Sequence, residues 1–420
     1  MSSPLERIAR GLFFRSLRNV QSGYLEVVCP DETHAFGDAA SELRAMAVIH
    51  DERFFIRALS GADIGMGESF MDGDWTSPDL VGLVRLAVRN LRLMDSAFPA
   101  ANLFRRLASR IGHRLRSNSL AGSRRNIRHH YDLGNDFYRL FLDEQMVYSA
   151  AIFPHPEDSL ESAQRHKLDL ICRKLRLGPG DRVLEIGCGW GAFALHAARR
   201  YGAHVTGLTL SPAQHVYASA MASKAVPEDG SVRFLLEDYR KVSGQFDKIV
   251  SIEMFEAVGL ARYDEFFRAC DRLLSPEGSM LLQLITLRDQ EFDSYRKRVD
   301  WIQTYIFPGS ELASLREVYR SLGRSTQMAV TQIESFGQHY ARTLAHWRAR
   351  FRRNLSAIER LGLGPRFERM WEFYLTWCEG AFLERYIDVA QLLVAKNRAR
   401  AVPADEPVFA ADPLLRRASA

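Results

Sequence analysis

The run Val183-Leu-Glu-Ile-Gly-Cys-Gly-Trp-Gly191 constrains the fold more than any other stretch. Strand-forming residues lead straight into Gly187, Gly189 and Gly191, and Ala192-Phe-Ala-Leu-His-Ala-Ala then reads as a helix. A ligand can touch the backbone only where no Cβ intervenes, so glycines at a strand-to-helix turn make room for a nucleoside. Alone, such a turn could serve NAD, FAD or tight packing.

The surroundings narrow the choice. Glu185 stands just before the first glycine, and an acid there suits a cofactor with a zwitterionic amino-acid end and no pyrophosphate, such as S-adenosylmethionine (SAM). One βα unit later, Gly207-Leu-Thr-Leu-Ser-Pro-Ala-Gln214 offers Thr209 and Gln214 where dehydrogenases place a ribose-binding acid. The next strand ends in Glu237-Asp238-Tyr239, suited to an adenine amino group and ring face.

Strands are expected at Arg182–Ile186, His204–Leu208, Val232–Leu236, Lys248–Ile252 and Ser279–Ile285, alternating with helices. The fold class is therefore α/β, a Rossmann-like sheet layered with helices. Residues 1–100 mix alternating runs (Gly23 to Cys29, Ala45 to Ile49, Arg53 to Ala58) with helical stretches and read as a smaller α+β domain. Residues 101–128 read as a basic linker, 129–397 as the catalytic domain, and 398–420 as a flexible tail. Within 129–397, roughly 334–397 reads as long amphipathic helices.

Composition sets further limits. At 47% hydrophobic and 25% charged, the chain can bury a sizeable core. It has no apolar run long enough to span a membrane and no clean signal-peptide core, which predicts a cytoplasmic protein. The five cysteines form no CxxC pair, so neither a metal site nor a disulfide framework is expected. The net charge of +5 is unevenly placed: eight arginines and no acid fall between Asn102 and His130. A second basic run is Arg342, Arg348, Arg350, Arg352 and Arg353. These fit a solvated surface or one that meets anionic lipid headgroups. No helix-turn-helix, zinc-finger or RNP-like pattern supports nucleic acid as a partner.

With these features in place, the chain resembles the cyclopropane-fatty-acyl-phospholipid synthase family, which includes the mycolic acid cyclopropane synthases. The resemblance rests on His129-His-Tyr-Asp-Leu-Gly-Asn-Asp136, Tyr148-Ser149, the glycine turn, Thr209-Leu-Ser-Pro-Ala-Gln214, Met254-Phe-Glu256, Tyr305-Ile-Phe-Pro308 and Cys378-Glu-Gly-Ala-Phe382. Gly65-Met-Gly-Glu-Ser-Phe-Met-Asp-Gly-Asp-Trp75 resembles the N-terminal lipid-engaging domain of the longer bacterial members.

The resemblance implies methyl transfer from SAM to a cis double bond in the acyl chain of a membrane phospholipid. It implies a homodimer that docks on the inner face of the cell membrane. Tyr148, Ser149, Gly187, Gly189, Thr209, Leu210, Gln214, Asp238 and Tyr239 match SAM-contacting positions, beside Glu185 and Gly191 of the turn. Glu256 and Tyr340 match side chains that hold a bicarbonate in the family, Ile285 a main-chain contact to it, and Cys378 a cysteine lining it.

The chain also departs from the family. Ala150 stands where cysteine usually follows Tyr148-Ser149, Gln283 where a histidine is expected, and Ala257 where a histidine follows Glu256. Gln283 can donate a hydrogen bond but cannot be cationic. Three outcomes stay open: a cyclopropane ring, a methyl or methylene branch (or a furan precursor), and a non-catalytic SAM- or lipid-binding homologue. Trp301, Tyr305, Phe307, Trp371, Phe373, Tyr374 and Phe382 read as core, a share of them as an apolar tunnel for the acyl chain.

Overall fold

The computed structural model describes residues 3–91, 133–224 and 230–399. The basic linker, His129, His130 and nearly all of the tail lie outside the described residues. The chain forms two compact units. One comprises Met1–Arg116, Asp293–Pro308 and Leu344–Tyr386, the other Ser117–Phe292, Gly309–Thr343 and Ile387–Ala420. Asp293–Pro308 and Leu344–Tyr386 thus belong with the N-terminal body.

The first unit holds strands β1 (Tyr24–Val28), β2 (Thr33–Gly37), β3 (Arg44–Ile49) and β4 (Trp75–Thr76), in the order β2-β1-β3-β4. Leu25 and Val27 alternate inward on β1, as expected for a half-buried strand. Arg53–Ala58 is not a strand. It opens the helix Arg53–Met71, where Phe54, Phe55 and Ala58 point inward on one helical face.

The segment Gly65 to Trp75 is spent largely on packing within this unit. A Cβ on Gly67 would strike the Trp301 indole. Tyr305 donates to Glu68 at 2.5 Å, and Arg366 and Arg57 hold Asp72 at 2.8 and 2.7 Å. Buried Asp74 accepts from Ser69, Arg53 and Arg57 at 2.8–3.0 Å. Phe373 packs against both Trp301 and Phe70, and Tyr374 against both Trp371 and Phe307. Phe382 is buried in the same unit.

The second unit is built on seven strands: β5 (Arg182–Ile186), β6 (His204–Thr209), β7 (Ser231–Leu236), β8 (Phe246–Ile252), β9 (Leu274–Leu287), β10 (Ala329–Ser335) and β11 (Ile387–Ala395). Their order is β10-β11-β9-β8-β5-β6-β7. From β5 to β9 the pairings are parallel, and β11 runs antiparallel to both β9 and β10. Neighbouring residues feed opposite faces of the sheet. Leu184 and Ile249 join one apolar layer with Phe255 and Phe266, while Val183 and Val250 join the other with Phe193 and Ala194.

Ile387–Ala395 corrects the expectation of helix through residue 397. It is a strand whose side chains are almost all buried, so it carries neither period that identifies an element from sequence. The chain leaves β5 toward β6 and β7, then returns to β8 on the other side. That reversal opens a crevice at the carboxyl ends of β5 and β8, where open α/β sheets bind ligands.

Candidate functional site

The glycine turn lies at the carboxyl end of β5. The N–H groups of Gly187 and Cys188 both donate to the Leu208 carbonyl, at 3.0 and 2.8 Å, which tie the turn to β6. Gly187 has φ +86° and Gly189 φ +52°, left-handed conformations that favour glycine. A Cβ on Gly187 would meet the Met254 side chain, whereas one on Gly189 would meet nothing within 4 Å. The first glycine lets the turn close on the segment after β8, and the second leaves open space beside the backbone. Asn135, from the His129–Asp136 motif, accepts from the Trp190 indole at 2.8 Å. Tyr138 packs on both Trp190 and Tyr148, so Asn135 and Tyr138 together brace the turn.

Glu185 is buried, and its Oε2 has no hydrogen-bond partner. Burial pushes its carboxyl up to about 8 against the opposing pull of Lys167. Lys167 is buried on the helix Leu160–Lys174, and burial lowers its amine to about 8. It donates to Ser149 Oγ at 2.8 Å, and Gln164 donates to the Ser149 carbonyl at 2.8 Å. A buried acid with an orphaned oxygen beside a backbone cradle fits the cationic amino-acid end of SAM.

At the end of β6, the Thr209 hydroxyl donates to Gln214 Oε1 at 2.8 Å, and partly exposed Leu210 follows. At the end of β7, Arg240 grips the Asp238 carboxylate at 2.8 and 2.7 Å, while Tyr239 packs edge-on against Phe266. These residues follow neighbouring parallel strands, and Asp238 is already engaged by an arginine.

A second polar cluster forms at the ends of β8 and β9. The turn Phe255–Ala257 carries Glu256, whose Oε1 accepts from the Ile285 N–H at 2.5 Å. Its Oε2 is buried without a partner. Tyr340 does not bond to Glu256. Its hydroxyl donates to Glu253 Oε2 at 2.7 Å. Glu253 Oε1 accepts from the Ala150 N–H and from Gln283 Nε2, each at 2.8 Å.

Behind Gln283 a chain of side chains continues through the sheet. Gln391 Nε2 donates to Gln283 Oε1 at 2.9 Å, Lys174 Nζ donates to Gln391 Oε1 at 2.7 Å, and Lys174 pairs with Glu334.

Hydrogen bonding sets the two acids apart. Burial raises both carboxyls, but three donors oppose the rise at Glu253. Glu256 is pushed up to about 8 by burial and by the charge of Glu253, against backbone hydrogen bonds that include the Ile285 N–H. Three hydrogen bonds thus favour the charged form of Glu253 over what burial alone would allow, while Glu256 keeps its proton at neutral pH.

Cys378 belongs to the first unit, on the helix Pro365–Leu383, where burial pushes its thiol well above the ordinary range. Sequence reasoning missed Glu253, Lys167 and Gln391. An acid three residues before Glu256, at the mouth of a strand, was the available signal for Glu253. Among the described residues, no cluster of His, Cys, Asp and Glu could hold a metal ion.

Known proteins resemble this chain in sequence and in fold. The profile of the mycolic acid cyclopropane synthetase family matches residues 118–392. The cyclopropane-fatty-acyl-phospholipid synthase of Escherichia coli strain K12 is 37% identical over 86% of this chain and 89% of its own length. The tuberculostearic acid methyltransferase of Mycobacterium tuberculosis is 37% identical over 78% of each chain. A solved cyclopropane synthase from M. tuberculosis superposes with a TM-score of 0.61 at 34% identity, over 65% of this chain and 98% of that one. A mycolic acid cyclopropane synthase complexed with SAH and CTAB does so at 0.61 and 37%, over the same shares. Coclaurine N-methyltransferase, 20% identical over 80% of this chain and 99% of its own, shares the fold with a TM-score of 0.60.

Proposed function

The chain belongs to the mycolic acid cyclopropane synthetase family, and on that premise we propose that it methylates the double bond of unsaturated acyl chains in membrane phospholipids, closing a cyclopropane ring. Membership makes it a SAM-dependent methyltransferase with a class I α/β fold. The observation that carries the reading is the closeness of two sites. The turn that would cradle the cofactor packs, through Gly187, against Met254, the residue next to Glu253.

The residues assigned to SAM are Gly187, Gly189, Gly191, Tyr148, Ser149, Glu185, Thr209, Leu210, Gln214, Asp238 and Tyr239. When bound, it supplies an electrophilic methyl on a sulfonium. An alkene is a weak nucleophile, so alignment in a site closed to water must lower the barrier. The fully buried Gln283 and Ala150 keep that end dry. Methyl attack leaves positive charge on the acyl chain, and a fixed carboxylate beside it stabilises that charge.

No described helix is long and apolar enough to cross a membrane. Peripheral docking on the inner membrane face, as a homodimer, completes the proposal and rests on the family resemblance. A second reading, methyl or methylene branching without ring closure, draws on Ala150 and Gln283 where the family pattern has cysteine and histidine. One relative is also named as a methyltransferase of another fatty acid.

The test incubates the protein with SAM and vesicles of unsaturated phospholipid, followed by mass spectrometry and proton NMR of the lipid. A gain of one methylene unit with cyclopropane protons is expected. The same mass gain with olefinic or branched methyl signals would replace ring closure by branching. Unmodified lipid despite bound SAM would overturn the enzyme reading.

A further inference from the structure

The family resemblance implies a bicarbonate held by the tyrosine, the glutamate and a main-chain N–H. Here the donors are differently engaged, and the Ile285 N–H donates to Glu256 Oε1 at 2.5 Å. The Tyr340 hydroxyl, the Ala150 N–H and the Gln283 amide all point at the two oxygens of Glu253, at 2.7–2.8 Å. A carboxylate and a bicarbonate present the same planar pair of oxygens to such donors. The residues therefore do not fit a separate bicarbonate.

Two further observations set Glu253 apart. Its backbone has φ +49°, a left-handed conformation that costs a side-chain-bearing residue strain and that glycine adopts freely. Strain of this kind at a non-glycine residue collects at functional sites. The chain of amides behind it also has a direction. Lysine can only donate, so Lys174 turns the Gln391 carbonyl toward itself, which turns the Gln391 amide toward the Gln283 carbonyl. Gln283 is left with its NH2 aimed at Glu253, which must accept.

We propose that the Glu253 carboxylate is this enzyme's built-in general base and replaces the bicarbonate of its relatives. The proposal rests on the acyl-methylation reading above. The alkene π pair forms a carbon–carbon bond to the methyl while the methyl–sulfur bond breaks, its electrons staying on sulfur. The other alkene carbon becomes cationic. Glu253 removes one proton from the transferred methyl, and the C–H electron pair closes onto the cationic carbon as the third side of the ring. Glu253 is then a carboxylic acid, and it returns its proton to water after the product leaves.

The test measures turnover on unsaturated phospholipid vesicles in buffer stripped of carbon dioxide, with and without added bicarbonate. Line broadening of ¹³C-bicarbonate by each protein is recorded alongside. The wild type is expected to turn over equally in both buffers and to leave the bicarbonate line sharp.

Glu253→Gln keeps the shape and removes the base, so kcat should fall roughly 10²–10⁴-fold with SAM affinity unchanged. Glu253→Gly releases the backbone strain and frees the three donors. It should be inactive in stripped buffer, bind bicarbonate and recover part of its activity when bicarbonate is added. Wild-type turnover that collapses in stripped buffer and returns with bicarbonate would overturn the proposal, as would full activity in Glu253→Gln. A wild type inert in both buffers would instead sink the acyl-methylation reading itself.

Discussion

Gln283 donates to Glu253 at 2.8 Å while its carbonyl accepts from Gln391 at 2.9 Å, so a lysine two side chains away sets which end of the amide faces the site. Lys174, at the far end, is nearly buried and pairs with Glu334. Removing one partner of such a pair leaves an uncompensated charge, at a cost of about 3–5 kcal/mol.

Lys174→Met is accordingly expected to lower the unfolding free energy by that amount in urea titrations. Lys174→Met with Glu334→Leu should recover most of it, because no charge is then stranded. If the double variant is as unstable as the single one, the pair is not the source of the loss.

Glu256 ties stability to pH. Its carboxyl is lifted to about 8 in the folded protein, against an ordinary value near 4.5. Between those values the native state binds more protons than the unfolded chain, so stability falls as pH rises through the window and levels beyond it. A single proton contributes at most about 1.4 kcal/mol per pH unit. Glu256→Gln keeps the Ile285 N–H satisfied and removes the titration. Urea titrations from pH 5 to 8 should therefore show a flatter decline in the variant than in the wild type. Parallel curves would mean that Glu256 is ionised in the native protein.

The same physics reaches cofactor binding at Glu185, whose carboxyl is also raised to about 8 by burial and whose Oε2 lacks a partner. A cationic amino group placed there favours the ionised form, so SAM should bind more tightly as pH rises toward 8 and release a proton as it binds. Calorimetry in buffers of different ionisation enthalpy reads that proton directly. Glu185→Gln should bind more weakly and show no buffer dependence. Buffer-independent heats in the wild type would place the ammonium elsewhere.

How far the sequence alone reaches follows from which forces leave a local trace. The strands β5 to β8 and the Ser279–Ile285 part of β9 were legible as short, largely apolar runs, and the glycine turn because its φ values favour glycine. Ile387–Ala395 was not, since a strand buried on both faces carries no alternation. Arg53–Ala58 carries three successive apolar residues, Phe54, Phe55 and Ile56, which a strand or a helix start can equally hold, and here they open a helix. At the candidate site, Glu256, Tyr340, Ile285, Gln283 and Ala150 were singled out through the family resemblance. Their pairing was not, because Glu253 meets Ala150 and Tyr340 across 103 and 87 residues of chain. Lys167 and Gln391 look like solvated polar residues in sequence, and only tertiary burial makes them part of the site.

The Gly65–Trp75 segment gives a prediction that separates architecture from chemistry. A Cβ on Gly67 would press into the Trp301 indole, which is itself buried and packed against Phe373. Neither partner has room to yield, and overpacking of this kind costs about 1–3 kcal/mol. Gly67→Ala should lower the melting temperature of the protein while leaving SAM affinity, read by calorimetry well below the transition, as it is in the wild type. The strain would be local to the first unit, whereas the glycine turn, Glu185 and Lys167 lie in the second. An unchanged melting temperature would show that helix Arg53–Met71 can shift to admit a methyl group. A loss of SAM binding at full stability would show instead that this packing shapes the cofactor site.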